Sequence, residues 1–165
     1  MNKEIERKFL VKIAVLTPLL DLGVPSAITQ AYLTNKIDYT VRVRTSTRIK
    51  DCYAPAASKG FLTIKGRNQG IVRPEYEYEI PYQEALDIIQ MSNVTIQKDR
   101  YRVHTMQHVW EVDFFHGLNE GLVIAEIELQ AKDEHVELPS WIDKEVSDKA
   151  CYYNSNLIKS PYCQW

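Results

Sequence analysis

Residues 4–9 read Glu-Ile-Glu-Arg-Lys-Phe, and this short stretch carries the pattern that decides the fold. Side chains of a β-strand point alternately to its two faces, which places Glu4, Glu6 and Lys8 on the same face. Ile5 and Phe9 then lie on the opposite face. The stretch therefore predicts a strand with one ionisable face and one face that can pack in an apolar core.

The composition is that of an ordinary globular protein, since 45% of the 165 residues are hydrophobic and 25% are charged. This length predicts a single domain over residues 1–165. The formal net charge of -2 excludes a general attraction to nucleic acid, so any anion site requires locally clustered cations. The apolar stretches are too short to cross a bilayer, the first residues do not resemble a signal peptide, and the three cysteines lack metal-ligand spacing. We therefore expect a cytoplasmic protein, monomer or homodimer, with no nucleic-acid or membrane partner.

Apolar and polar residues alternate with a period of two through most of the chain, which predicts an antiparallel α+β fold. The period changes at 84–91, where a short helix is expected, and a second helix is predicted within Ser147–Ile158. Residues 46–59 contain Pro, Ser and small residues and predict a long hairpin loop. The predicted strands are 2–11, 29–34, 39–46, 61–67, 72–80, 96–105, 108–116 and 122–131.

Ionisable residues occupy one face of nearly every predicted strand. Solvated faces usually contain Ser, Thr, Asn and Gln as well, whereas this face is almost entirely charged. Some strands are basic and others acidic, so like charges adjoin, which destabilises a sheet unless something binds them. The acidic residues of this face are Glu4, Glu6, Glu75, Glu77, Glu79, Glu111, Asp113, Glu126 and Glu128, and the basic residues are Lys8, Arg42, Arg44, Lys65, Arg67, Arg73, Lys98, Arg100 and Arg102.

Two arrangements explain such a face. An open sheet could turn it toward water. Alternatively, eight strands could close into a barrel with the charged faces inward, around a lumen wide enough for one small ligand. Arginine and lysine would then bind phosphate oxygens, and clustered carboxylates would bind hard cations such as Mg²⁺ or Mn²⁺. The barrel therefore predicts a polyanionic ligand that carries divalent cations.

The order of the motifs resembles the CYTH family, also called triphosphate tunnel metalloenzymes, in its short bacterial type. The most specific element is the N-terminal Glu4-x-Glu6-x-Lys8, which is followed by Gln30-Ala31-Tyr32-Leu33 and Arg42-x-Arg44. The resemblance extends from about residue 2 to about 158. The other matching motifs are Thr63-x-Lys65, Glu75-x-Glu77, Lys98-x-Arg100-Tyr101, Trp110-Glu111-Val112-Asp113, Ala125-Glu126-Ile127-Glu128-Leu129, Pro139-x-Trp141, Glu145-Val146-Ser147 and Tyr152-x-Asn154-x-x-Leu157.

The resemblance implies an eight-stranded antiparallel tunnel, stopped at one end by a C-terminal helix, that hydrolyses a triphosphate with Mg²⁺ or Mn²⁺. It also implies roles for thirteen residues. Glu4, Glu6, Lys8 and Lys98 are expected to be catalytic. Residues expected to bind the triphosphate are Lys8, Arg42, Arg44, Lys65, Arg73, Lys98 and Arg100, and those expected to bind metal are Glu4, Glu6, Glu111, Asp113, Glu126 and Glu128.

Inorganic tripolyphosphate is the substrate we expect, with diphosphate and phosphate as products. A nucleotide triphosphatase, a thiamine triphosphatase and a class IV-type adenylate cyclase are alternatives on the same fold. A non-catalytic polyphosphate-binding module is an alternative of another class, and an interaction domain with an open sheet is a third. Carboxylates on both acidic strands favour catalysis, because a simple polyanion binder would gain affinity by losing them.

Overall fold

The computed structural model describes residues 3–20, 23–49, 58–105 and 107–165. Its strands and helices account for most of this part of the chain. The strands are β1 (Lys3–Val11), β2 (Ser26–Asn35), β3 (Tyr39–Arg48), β4 (Ser58–Gly66), β5 (Val72–Ile80), β6 (Ile96–His104), β7 (Val109–Phe115), β8 (Val123–Glu128) and β9 (Ile142–Glu145). The α-helices are α1 (Ile13–Leu20), α2 (Tyr82–Gln90) and α3 (Asn154–Leu157).

Eight of these strands form a closed antiparallel barrel, as predicted. Around the barrel their order is β5, β4, β3, β2, β6, β7, β8 and β1. The ring closes where β1 pairs with β5. In this short pairing, Lys3 lies opposite Pro74, Glu4 opposite Arg73 and Ile5 opposite Val72. The ninth strand, β9, pairs with the other end of β1 outside the ring.

The apolar core lies against the outer wall of the barrel. Phe9, Trp110 and Trp141 make successive edge-to-face contacts with ring centroids 5.5 and 5.4 Å apart. On the other side of the barrel, Ala85 and Ile89 of α2 pack on buried residues of β2 and β3. The elements outside the barrel cover part of the apolar faces of the strands, and the opposite, ionisable faces point into the lumen.

Several predicted elements differ from the structure. The predicted helix within Ser147–Ile158 is wrong as one element: a 3₁₀ turn at Ala150–Tyr152 is followed by extended Tyr153 and the single-turn α3. The predicted loop 46–59 is too long, since β3 continues to Arg48 and β4 begins at Ser58; its residues 50–57 lie outside the described part of the chain. Helix α1 and strand β9 were not predicted.

No helix within the described residues is long and apolar enough to span a membrane.

Candidate active site

The lumen of the barrel is a charged cavity of about 1490 Å³. Ionisable residues reach its surface from seven strands, and Tyr32 lines it from the eighth, β2. This arrangement excludes the open sheet with its charged face in water. The predicted site residues that line the cavity are Glu4, Glu6, Lys8, Arg42, Arg44, Lys65, Arg73, Arg100, Glu111, Glu126 and Glu128.

The other two predicted site residues, Lys98 and Asp113, form a buried ion pair and do not line the cavity, being 2% and 0% exposed. Burial, together with the charge of Arg100, lowers the pKa of Lys98 to about 8, despite the attraction of Asp113. Arg67, expected on the inner face, instead lies at the surface, with Asp38 3.9 Å away, because β4 ends one residue before it.

Arg100 is the central cation of one side of the lumen. Its Nε and Nη2 donate to the two carboxylate oxygens of Asp113 at 2.6 Å, a bidentate contact. Nη2 also donates to Glu126 at 2.7 Å, and Nη1 donates to Glu111. Burial would raise the pKa of Glu126, but the charges of Lys8, Lys98 and Arg100 hold it well below its ordinary range. The buried carboxylate is therefore ionised.

Lys8 lies between two carboxylates, donating to Glu6 at 2.5 Å and to Glu126. Although burial disfavours its charge, Glu126 and Glu6 outweigh that effect and raise the pKa of Lys8. The third residue of the N-terminal motif, Glu4, accepts from Lys65 at 2.8 Å and from Arg73 at 2.5 Å. Glu4 thus meets cations of β4 and β5 on one side of β1, whereas on the other side Lys8 meets the carboxylate of Glu126 on β8.

The acidic wall also has a position without a cation. Within the described residues, the Glu128 carboxylate makes no hydrogen bond or ion pair, and its cross-strand partner is Glu6. Partial burial, followed by the charges of Glu4, Glu6 and Glu111, raises the pKa of Glu128. In the part of the chain that the structure describes, no three His, Cys, Asp or Glu side chains converge as a ready-made metal site. Even so, the donor set fits a hard divalent cation, because its carboxylate oxygens include those of Glu128, which is unpaired among the described residues.

Arg42 and Arg44 lie side by side on the basic wall formed by β3. Each has an Nε–H group that is buried and has no hydrogen-bond partner among the described residues. Burial, with the charge of Arg42 adding to it, lowers the pKa of Arg44. Buried donors without partners are uncommon and call for an explanation. An oxyanion in the lumen would supply one.

Glu75, Glu77 and Thr63 were not among the predicted site residues, although all three contact cations of the lumen. Glu75 lies 3.2 Å from Lys65, and Glu77 accepts from Arg44 at 3.0 Å. Thr63 contacts both Arg42 and Glu77. Parity had placed Glu75 and Glu77 on the charged face with Arg73, and it places Thr63 with Lys65, because residues two apart on a strand share a face. Their contacts with the cations could be seen only from the pairing of β3, β4 and β5.

The C-terminal residues close one end of the lumen. Tyr153, Asn154 and Ser155 line the cavity. The Tyr153 hydroxyl donates to the Ser147 carbonyl at 2.9 Å, and the Asn35 amide donates to the Ser155 carbonyl at 2.5 Å. The first contact is internal to the C-terminal segment, and the second joins this segment to β2 of the barrel.

The family model of the CYTH domain matches residues 2–157. The chain belongs to the CYTH family. This CYTH protein is 43% identical over 164 residues to an inorganic triphosphatase of Acetivibrio thermocellus, a match that covers 98% of this chain and 97% of that protein.

Solved structures share the CYTH barrel at lower sequence identity. The inorganic triphosphatase NE1496 has a TM-score of 0.63 and 24% identity, with 97% of each chain covered. The putative adenylyl cyclase HpAC1 from Hippeastrum, described with a dominant triphosphatase activity, has a TM-score of 0.53 and 15% identity, with 79% of this chain and 80% of that chain covered. At these identities, the two structures support the fold.

Proposed function

We propose that this CYTH protein is a divalent-metal-dependent triphosphatase that hydrolyses inorganic tripolyphosphate to diphosphate and phosphate. The observation that carries the proposal is the closed lumen, in which a cationic wall faces a carboxylate wall. The 43% identity to an inorganic triphosphatase over nearly the whole chain supports the same substrate class. A small-molecule triphosphate is the partner that such a lumen accommodates.

The cations of the lumen bind and orient the substrate. Arg42 and Arg44 line the lumen from β3, and Lys65 lines it from the adjacent strand. Arg73, Arg100 and Lys8 complete the set that lines the lumen, whereas Lys98 lies behind them, paired with Asp113, and would act through its charge only. Multiple charge-assisted hydrogen bonds along the lumen would hold the phosphate chain extended, with a terminal phosphorus presented to water.

The carboxylates of the lumen would bind the metal ion, and one of them would accept the proton of the attacking water. Glu4, Glu6, Glu111, Glu126 and Glu128 line the lumen and would hold the metal, because their oxygens suit Mg²⁺ or Mn²⁺. Asp113 is buried behind them, with both oxygens bonded to Arg100 and Lys98. When bound, the cation supplies positive charge that offsets the charge on the phosphate oxygens. A carboxylate of this wall accepts the proton of the attacking water as the terminal P–O bond breaks and diphosphate leaves.

Phosphate release tests the proposal directly. Tripolyphosphate, ATP and thiamine triphosphate are each incubated with Mg²⁺, with Mn²⁺ or with chelator. We expect metal-dependent release that is fastest from tripolyphosphate, and loss of turnover in both Glu4→Gln and Glu6→Gln. Glu79→Gln is the matched control, because Glu79 pairs with exposed Lys59 at 2.9 Å. Full activity of the Glu4 and Glu6 variants would refute the assignment.

A further inference from the structure

Thr63 lies at the centre of a polar chain that crosses three adjacent strands. Arg42 of β3, Thr63 of β4 and Glu77 of β5 are successive cross-strand partners. Arg42 Nη2 donates to Thr63 Oγ1 at 3.2 Å, and Thr63 Oγ1 donates to Glu77 Oε2 at 2.8 Å. The hydroxyl therefore donates its single proton to the carboxylate and accepts a hydrogen bond from the guanidinium group. These two contacts fix the rotation of the hydroxyl.

Glu77 joins this chain to the second arginine of the basic wall. Its other oxygen, Oε1, accepts from Arg44 Nη2 at 3.0 Å, while Oε2 lies 3.6 Å from Arg42 Nη2. One carboxylate thus serves two guanidinium groups, contacting Arg44 directly and Arg42 mainly through the threonine. A carboxylate on a wall assigned to an anionic substrate is otherwise unfavourable, because it opposes the binding of phosphate.

The contacts of Arg42 leave one of its edges without a partner. Nη1 donates to the Gln30 side-chain oxygen at 3.4 Å, Nη2 is held by Thr63, and Nε has no hydrogen-bond partner among the described residues. A guanidinium group is planar, so holding both Nη atoms sets its plane and thereby the N–H bonds that Arg42 presents to the lumen. Thr63 is 0% exposed, so it acts through the arginine and cannot contact a ligand in the lumen of this structure.

We propose that Thr63 is a positioning residue, whose hydroxyl, itself oriented by Glu77, sets the guanidinium plane of Arg42 for a phosphate oxygen of the substrate. This role rests on the proposed binding of a triphosphate in the lumen. No catalytic step passes through Thr63. Its effect is on the geometry of Arg42 alone.

A substitution that removes the hydroxyl, but keeps the charge and nearly the same side-chain volume, tests this role alone. Thr63→Val removes the hydroxyl, and Thr63→Ser keeps it. We expect Thr63→Val to weaken metal-free binding of tripolyphosphate, measured by calorimetry with chelator present, by about tenfold, the scale of one hydrogen bond to a charged group. Thr63→Ser should bind within about threefold of the wild type.

The matched control is Thr45→Val on β3. Thr45 is also buried, at 6% exposed, but its hydroxyl donates to the Thr29 carbonyl at 3.5 Å, and in the part of the chain that the structure describes it makes no hydrogen bond to Arg42 or Arg44. This variant should bind tripolyphosphate like the wild type. Equal weakening by Thr45→Val and Thr63→Val would show a general effect of removing a buried hydroxyl and would overturn the positioning role.

A double-mutant cycle tests whether Thr63 acts through Arg42. In an Arg42→Ala background, Thr63→Val should cause no further loss of binding, because the group it positions is absent. The same tenfold loss in both backgrounds would overturn the proposal.

Binding and hydrolysis separate this inference from the proposed function. If the wild type binds tripolyphosphate but does not hydrolyse it, the triphosphatase proposal fails. The double-mutant cycle of Thr63 and Arg42 then still tests the positioning role. If the wild type hydrolyses tripolyphosphate and Thr63→Val binds it normally, the positioning role fails alone. A wild type that does not bind tripolyphosphate overturns both.

Discussion

Glu6 of β1 and Glu128 of β8 are direct cross-strand partners, so two carboxylates of the lumen face each other. Lys8 lies 2.5 Å from Glu6, whereas Glu128 has no cation within 4 Å among the described residues. Like charges opposite one another on a sheet are destabilising. The repulsion between the two carboxylates therefore destabilises the fold, and a bound divalent cation would remove this destabilisation.

Glu128→Gln should change stability and activity in opposite directions. Because the pKa of Glu128 is raised in the folded protein, its ionised form at neutral pH disfavours folding, and glutamine removes that cost. With chelator, we expect an unfolding midpoint equal to the wild type or higher by up to about 3 °C, a small change because the side chain is solvent-screened. Metal-dependent phosphate release should fall by about 100-fold. Calorimetric melting and a phosphate assay check both, and a lower midpoint would contradict the electrostatic account.

Lys98 should determine the pH above which kcat/KM for tripolyphosphate falls. Burial and Arg100 lower the pKa of its ammonium to about 8, so the free protein loses this positive charge as the pH rises above that value. We expect kcat/KM for tripolyphosphate to fall above about pH 8, because this parameter reports ionisations of the free enzyme. Lys98→Arg should move the fall to higher pH, since arginine stays charged. Substrate ionisation affects both proteins equally, so identical profiles would exclude Lys98 as the cause.

Glu75 should make stability decrease as the pH rises toward neutrality. Burial raises its pKa from 4.5 to about 7, with Glu4 adding to the increase and Lys65 opposing it. Between those values the folded state binds the proton more tightly than the unfolded state, so stability is lost as the pH rises. Glu75→Gln removes this titration. The melting temperature of the variant minus that of the wild type should increase from pH 5 to pH 7, and a constant difference would contradict the assignment.

Gly60 provides a test of the packing of α2 on the barrel. A Cβ atom at this position would lie 2.6 Å from Ala85 Cβ and 3.0 Å from the Ile80 carbonyl oxygen. Gly60→Ala should therefore lower the free energy of unfolding by about 1–3 kcal/mol in denaturant titrations. Gly23→Ala is the control, because a Cβ at Gly23 meets nothing within 4 Å.

A second substitution checks the cause of that loss. Combining Gly60→Ala with Ala85→Gly removes the closest clash but keeps the contact with the Ile80 carbonyl. The double variant should therefore lose less free energy than the sum of the two single variants. Simple additivity would show that the helix and strand do not interact through these two positions.

The faces of the strands could be predicted because alternation is local. Glu4, Glu6 and Lys8 needed only their spacing to be placed together, and the paired arginines Arg42 and Arg44 were located in the same way. The position of Arg67 could not be predicted by parity, because it depends on β4 ending at Gly66. Strand ends depend on pairing with distant segments, which spacing does not report.

Helical elements were harder to predict for a different reason. Apolar residues at 152, 157 and 158 suggested one helix, but the backbone of Tyr153 is extended, and its hydroxyl is bound to the Ser147 carbonyl. A tertiary hydrogen bond thus coincides with a break in the predicted helix. In α1, Pro18 lies inside an eight-residue helix, a position where local preference opposes helix formation.

By itself, the sequence determined that each strand has one ionisable and one apolar side, and that the charges are of the kinds that bind phosphate and hard cations. Only the tertiary structure decided that β1 meets β5, that Lys98 and Asp113 pair behind the wall, and that Glu128 has no ion-pair partner among the described residues. The physical reason is range: the direction of a side chain follows from its immediate neighbours in the chain, whereas its partner across the lumen depends on strand order, register and closure.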